Sequence, residues 1–217
     1  MGIATQICLL SCACTATAAR FGAETLRNAL GSPPKERRYA GAPPVVALQR
    51  QFDRYTAGFG LHYVDCGSYT AHTLAGRAVL MTNVPFLFAG SRLASAGQIG
   101  MGLSIALAGL LSHSYHARQL RYAGVEPEET AEGAEVRLAM MCDYGGALTA
   151  AVAGMATIAK RGGIALLRAN PMLPLTVTAA NACFVGGCGP LDAREYLIVH
   201  GMWHLFAASA GWQLAAL

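Results

Sequence analysis

Five long apolar segments follow one another in the C-terminal part of the chain, at residues 76–94, 98–117, 136–159, 164–185 and 194–217. Each is close to the ~20 residues that an α-helix needs to cross the hydrocarbon core of a membrane. Charged residues make up only 13% of the chain, against about 25% in an average soluble domain. We therefore expect an all-α integral membrane protein with about five transmembrane helices, and the uncharged N-terminus leaves room for a sixth.

The N-terminal arm, residues 1–75, differs in composition from the apolar segments. Residues 20–54 hold seven basic and three acidic side chains, so this stretch carries +4, which equals the net charge of the whole chain. Residues 31–54 also contain four prolines, which is typical of an extended linker. We expect two parts: a basic, Pro-rich and partly extended arm over 1–75, and a transmembrane helical domain over 76–217.

The charge of the arm indicates its partners. Basic residues stay on the side from which a membrane protein inserts, and they attract anionic headgroups or acidic protein surfaces. Aromatic residues that would stack on bases do not alternate with these charges, so we expect no nucleic acid. The expected partners are membrane lipids and other membrane protein subunits. The uncharged start, followed by Arg20 and Arg27, is similar to an organellar presequence. We therefore expect an organellar membrane, such as the mitochondrial inner membrane, or the endomembrane system.

The seven cysteines are odd in number and include no Cys-x-x-Cys pair. This pattern argues against a zinc ribbon and against a disulfide framework. We expect them to be mostly small apolar packing residues.

Ionisable and polar side chains are rare inside the apolar segments, and several lie at one depth. Ser112 and His116 lie near the end of the second segment, Asp143 near the start of the third, and His200 and His204 near the start of the last. If five segments cross in succession, these three segment ends lie on the same side of the membrane. Ionisable groups there are costly to bury, and they indicate a functional site.

The types and spacing of these residues suit a metal ion. His200 and His204 are four positions apart, so a helix places them on one face. Three imidazoles with a fourth position left open are a typical ligand set of catalytic zinc. We expect Zn²⁺ ligands at His116, His200 and His204, with nitrogens about 3–3.5 Å apart. Ser112 and Asp143 are the candidate catalytic residues in the next shell, where they would act on a water or an oxyanion.

Two other interpretations of the histidines stay open. A membrane histidine can hydrogen-bond to a neighbouring helix without any metal, and a pair four positions apart can ligate haem or chlorophyll. The stretch "EGAEVRLAM" at 132–140 is similar to chlorophyll-binding light-harvesting helices, although the second copy that those proteins need is missing. His113 points to another side of its helix, and we expect it outside the ligand set.

Three motifs in order resemble the CREST superfamily of membrane hydrolases, which includes alkaline ceramidases and the progestin and adipoQ receptors. They are "SHSYHA" (Ser112, His116), "LAMMCDYGGALTA" (Asp143) and "HGMWHLFAASAG" (His200, His204). Their flanking residues are nearest the branch of the post-GPI-attachment phospholipase and myomaker, and "TN" at Thr82–Asn83 resembles the Ser-Asn of that branch. The resemblance covers about residues 81–217.

The resemblance implies zinc held by the three histidines and hydrolysis of amide or ester bonds of lipids. It also implies a seven-helix bundle. Only 57 positions separate Asp143 from His200, which leaves room for one intervening helix where the family has three. Met101 also replaces a glutamate of that branch. From this truncated seven-helix CREST-like bundle we expect weak or absent hydrolysis. The competing function is a non-catalytic structural subunit of a larger membrane complex that retains the metal site.

Overall fold

The computed structural model describes residues 64–124, 131–188 and 191–217. Helices make up most of this described part, and no strand occurs in it, which confirms the all-α class there. The helices are α1 (Leu74–Met81), α2 (Val84–Ser95), α3 (Ile99–Arg121), α4 (Ala131–Lys160), α5 (Ile164–Ala169), α6 (Met172–Gly187) and α7 (Ala193–Leu214). Most of the predicted basic arm and the predicted sixth helix fall in residues 1–63, outside the described residues.

The apolar segment 76–94 is divided between α1 and α2, where we predicted one helix. Pro85 lies in the first turn of α2, where its missing N–H leaves no helical hydrogen bond unmade. In the middle of a longer helix the same ring would clash with the preceding turn. The break brings Thr82 and Asn83 into the interior, where Thr82 Oγ1 and Asn83 Nδ2 both donate to the Val79 carbonyl, at 2.6 and 3.2 Å.

The segment 164–185 is also divided, into α5 and α6, where we expected one transmembrane helix. Asn170 ends α5 and Pro171 caps the start of α6. Pro174 falls in the first turn of α6, where a proline is tolerated. Pro171 and Pro174 thus both lie at the start of α6, and the fourth segment is not one continuous helix.

One helix of the described part, Glu135–Lys160 within α4, has the length and apolar composition to cross a membrane. The apolar helix α6 is shorter. The arrangement of five crossings stays a prediction.

The polar loop between the second and third segments is shorter than predicted. We expected the helix to end at residue 117, but α3 continues to Arg121 and α4 begins at Ala131. Polar side chains do not by themselves end a helix. Arg118 and Arg121 in the last turn of α3 lie where cations interact favourably with the helix dipole.

Helix α2 lies between the two helices that carry the histidines. It packs against both α3 and α7, while α4 packs against α3 and α6 packs against α7. The main apolar core includes Leu93 of α2, Ile105 of α3, Leu173 of α6 and Leu214 of α7. The positions of α3 and α7 relative to each other therefore depend on how closely each packs against α2.

Helices α2 and α3 approach each other through small residues. A Cβ atom at Gly90 would lie 2.6 Å from the Gly102 carbonyl oxygen, and a Cβ atom at Gly102 would lie 2.5 Å from the Gly90 carbonyl oxygen. Ala94 and Ala106, one turn further along each helix, lie at the same contact. This pairing of small residues four apart is the pattern by which membrane helices pack backbone against backbone.

Replacing Gly102 by alanine is expected to push α2 and α3 apart and to lower the free energy of unfolding by ~1–3 kcal/mol, the usual cost of overpacking. Gly100→Ala is a matched control on the same helix, because no atom lies within 4 Å of its added Cβ. We expect the control to be neutral or stabilising by up to ~1 kcal/mol. Thermal unfolding of the full chain in detergent measures both, and equal destabilisation would contradict the proposed contact.

Residues 64–73, which we assigned to the arm, pack against the helical domain. Cys66 is fully buried in a cluster with apolar residues of α1, α3 and α7. Asp65 Oδ1 accepts a hydrogen bond from the Gly124 N–H at 2.8 Å, after the end of α3. Burial raises the pKa of the Cys66 thiol to about 12 and keeps it protonated. Cys66 is thus a small packing residue, as expected, whereas Cys142 on α4 is exposed.

Candidate metal centre

The three predicted histidines converge between α3 and α7. One ring nitrogen from each of His116, His200 and His204 lies within 4.8 Å of the others. His116 Nε2 and His200 Nε2 are 2.9 Å apart. The ring centroids are separated by 4.7, 5.2 and 4.7 Å. All three side chains are buried, and the cluster can hold a metal ion.

The local sequence explains how both helices present their ligands. Ser112 and His116 are four positions apart on α3, as are the two histidines on α7, so each pair shares a helix face. Helix α7 begins with a capping box: Asp192 Oδ1 accepts from the Glu195 N–H at 2.8 Å, and Glu195 Oε2 accepts from the Asp192 N–H at 3.1 Å. This pair satisfies two free donors and fixes the start of α7 about two turns before His200.

Gln119 fixes the orientation of the His116 ring. Its Nε2 donates to the Val64 carbonyl at 2.7 Å, which leaves its Oε1 facing His116 Nδ1 at 2.7 Å. An amide oxygen only accepts, so the hydrogen-bond network assigns the proton to Nδ1. His116 therefore presents the lone pair of Nε2 to the site.

Thr82 does the same for His204. The Thr82 hydroxyl donates its single proton to the Val79 carbonyl at 2.6 Å. Its oxygen lies 2.8 Å from His204 Nδ1 and can only accept there. His204 Nδ1 therefore carries the proton, and the lone pair of Nε2 faces Ser112 Oγ at 3.0 Å.

Ser112 contacts one of the three imidazoles, His204, and Asp143 lies next to Ser112. The Asp143 carboxylate is within hydrogen-bonding reach of Ser112 and is almost fully buried. Within the described residues, Asp143 Oδ1 is buried and has no hydrogen-bond partner. A buried oxygen of this kind costs free energy unless a ligand or a water meets it.

Two imidazole lone pairs face this site, and His116 Nε2 lies 2.9 Å from His200 Nε2, so without a metal His200 donates its Nε2 proton to His116. His116 and His204 both present lone pairs at Nε2. The one Ser112 proton faces two acceptors, His204 Nε2 and the Asp143 carboxylate. A metal ion that takes the His204 lone pair frees this proton for an oxygen acceptor in the site. Buried imidazoles suit zinc, copper, iron and nickel, so the residues present fit a transition-metal ion.

The third imidazole is held by aromatic neighbours. The His200 ring stacks on Tyr196, with centroids 5.0 Å apart and planes at 26°. The ring centroid of Trp203 lies 5.1 Å from that of His200 and 4.9 Å from that of His204. His113 is exposed, with Nδ1 3.4 Å from the Leu80 carbonyl, and it lies outside the ligand cluster as expected.

Sequence reasoning missed the partners of the ligands. Gln119 fell in the predicted polar loop because we ended the helix at residue 117. Continued by one turn, the helix places Gln119 three positions after His116, where a contact is expected. Thr82 was singled out only through the resemblance, and its contact with His204 spans 122 positions of sequence. The sequence feature that could have indicated Thr82 is its position just before Asn83, which caps a helix with a proline in its first turn.

Comparisons with protein-family models, with curated proteins and with solved structures find no match for this chain. The similarity to CREST enzymes therefore depends on the three motifs, and the interpretation of the site depends on its own geometry.

Proposed function

We propose that the chain is an integral membrane protein with a CREST-like zinc site that hydrolyses an amide or ester bond of a lipid. The observation that carries this proposal is the pair Ser112 and Asp143 beside a cluster of three imidazoles. Structural zinc sites are closed by four protein ligands, whereas catalytic sites use three and leave one position open. The buried Asp143 oxygen without a partner supports an open position, because Asp143 lies next to Ser112, which contacts His204.

The surface of the helices supports a membrane location. Large apolar side chains on the long helices are well exposed, among them Leu103 at 64%, Leu148 at 67% and Met155 at 62%. Only 28% of the most apolar window of α4 is buried, so it is unlike the core helix of a soluble protein. Apolar exposure on this scale marks a lipid or protein interface. The proposed location is an organellar membrane, such as the mitochondrial inner membrane, or the endomembrane system.

His116, His200 and His204 would hold the zinc ion through their ring nitrogens. The ion supplies Lewis-acid activation of a water molecule and of a carbonyl oxygen. Gln119 and Thr82 hold two of the three rings by their other nitrogens. The role of the remaining groups is to move a proton and to stabilise charge.

Asp143 and Ser112 carry the proton transfers in the proposed reaction. As the water oxygen forms its bond to the lipid carbonyl carbon, Asp143 accepts a proton from that water. The Ser112 hydroxyl donates to the oxygen on which charge develops. When the C–O or C–N bond breaks, the proton on Asp143 passes to the leaving alkoxide or amine. The carboxylate is thereby restored, and the products are a fatty acid and an alcohol or amine.

One observation favours a second candidate, a non-catalytic subunit in which the metal ties α3 to α7. A lipid carbonyl could reach the site only if these helices separate, because all five side chains are nearly inaccessible. The exposures are Ser112 3%, His116 0%, Asp143 3%, His200 6% and His204 0%. In this role, other membrane subunits would bind the basic arm, and the metal would only stabilise the helix pair.

Reconstitution of the full-length protein distinguishes the two candidates. The protein is stripped of metal, reloaded with Zn²⁺ and placed in vesicles of phosphatidylcholine and ceramide, and released fatty acid and sphingoid base are measured by mass spectrometry. The hydrolase predicts slow release that stops on chelation and returns with Zn²⁺. The structural subunit predicts bound zinc without release, and loss of co-purifying subunits on chelation. Release of lipid products that continues unchanged after chelation would contradict both candidate functions.

A further inference from the structure

We propose that Gln119 and Thr82 are positioning residues that set the tautomers of His116 and His204, so that both rings present Nε2 to one metal ion. This inference deepens the proposed function and rests on its metal site. Neither residue touches the position of the metal. Each acts through the imidazole that it binds.

The direction of each hydrogen bond carries the argument. Gln119 Nε2 is committed to the Val64 carbonyl and the Thr82 hydroxyl proton to the Val79 carbonyl, at 2.7 and 2.6 Å. Both acceptors are main-chain carbonyls, which cannot donate in return. The remaining atom of each side chain is an oxygen that faces Nδ1 of an imidazole. Because each oxygen can only accept a hydrogen bond, it favours the imidazole tautomer that carries its proton on Nδ1.

The two positioning contacts come from separate parts of the fold. Thr82 lies at the break between α1 and α2, and Gln119 lies in the last turn of α3. Both side chains reach the lower-dielectric interior, where a hydrogen bond is stronger than in water. Without them, a neutral imidazole is free to carry its proton on Nε2, which blocks the lone pair that a metal needs. We infer that the fold sets the tautomers of His116 and His204 before a metal ion binds.

Zinc affinity of the full-length chain tests the inference. Thr82→Val and Gln119→Leu keep the approximate shape of each side chain and remove the acceptor. Each is expected to weaken Zn²⁺ binding by ~10–100-fold, the usual cost of removing the partner of a metal-bound histidine. Competition with a chelator of known affinity measures the change.

Two further variants separate positioning from packing. Thr82→Ser keeps the hydroxyl and is expected to restore affinity to within a few-fold of the original protein. Thr157→Val is the matched control, because the Thr157 hydroxyl donates to the Ala153 carbonyl of its own helix at 2.8 Å and has no histidine partner among the described residues. It removes the same group and should leave zinc affinity unchanged. If Thr157→Val weakens zinc binding as much as Thr82→Val, the positioning role is overturned.

A spectroscopic measurement on the metal-free protein tests the tautomers directly. Nitrogen-15 NMR of histidine-labelled protein, with the signals assigned to residues, should show His116 and His204 protonated at Nδ1, and each variant should lose this state at the ring whose partner it removes. Protonation of His116 or His204 at Nε2 in the original protein would overturn the inference even if zinc binds. If the tautomers are as expected and no zinc binds, the proposed function fails while the positioning of the rings stands. If zinc binds equally well to all variants, the positioning fails and the proposed function stands.

Discussion

Replacing His200 and His204 together by alanine is expected to abolish zinc binding to the full-length protein at micromolar zinc. Apparent binding free energies of ~10–16 kcal/mol for four-ligand zinc sites correspond to ~2.5–4 kcal/mol per ligand. Removing two ligands should therefore weaken binding by ~5–8 kcal/mol, or roughly 10⁴–10⁶-fold. Both side chains lie on one face of α7, so the variant removes one wall of the site and leaves His116 as a single ligand. Metal analysis after gel filtration, with chelator competition, measures the loss.

His113→Ala is the control for this double variant. His113 is also on α3, three positions before His116, but its side chain is exposed and its ring nitrogen faces the Leu80 carbonyl at 3.4 Å, away from the ligand cluster. Its removal should leave zinc stoichiometry and affinity unchanged. Stoichiometric zinc in the double variant would show that the ion binds elsewhere and would contradict the site.

Asp143→Asn is expected to lower zinc-dependent lipid hydrolysis by ~10²–10⁴-fold, the usual contribution of a positioned general base. The amide has the shape of the carboxylate and can still pair with Ser112. It cannot accept the proton of the attacking water. Zinc affinity should change much less than the rate, because Asp143 hydrogen-bonds to Ser112 and does not hold an imidazole ring as Gln119 and Thr82 do. Initial rates of fatty-acid and sphingoid-base release from vesicles, with zinc content measured in parallel, give the two numbers.

Asp192→Asn makes the same chemical change away from the site. Asp192 caps the start of α7, and asparagine caps helices about as well as aspartate, so both fold and activity should persist. If Asp143→Asn and Asp192→Asn release lipid products at the same rate, Asp143 does not take the proton, and the mechanism above is wrong. If Asp143→Asn loses zinc altogether, Asp143 acts as a ligand rather than a base.

The ligand cluster was predictable because few residues could explain it. Histidines four apart in an apolar segment share one helix face, and their cost in an apolar environment points to a function. The count of crossings then placed His116 and Asp143 near the same depth as His200. The structure brings the three imidazoles together, with Ser112 in contact with His204 and Asp143 next to Ser112. The catalytic roles of Ser112 and Asp143 stay a prediction.

The helix boundaries were less predictable, because apolar character and helical conformation are different properties. Pro85 and Pro171 mark the starts of helices inside segments that are mostly apolar, whereas Arg118, Gln119 and Arg121 stay helical although they are polar. The same difference hid Gln119, whose role depends on one extra helical turn. The contact of Thr82 with His204 depends on tertiary packing, which no local pattern of the sequence records.

The bond from Gln119 to the Val64 main chain gives the metal site a mechanical connection to the segment before α1. Thermodynamic linkage is reciprocal, so any tightening of zinc binding by an ordered Val64 must equal the tightening of that segment by zinc. A subunit that pulled on the chain ahead of Val64 would loosen Gln119, then His116, and then the ion. In that case the metal occupancy of the centre would depend on whether the chain before Val64 is anchored.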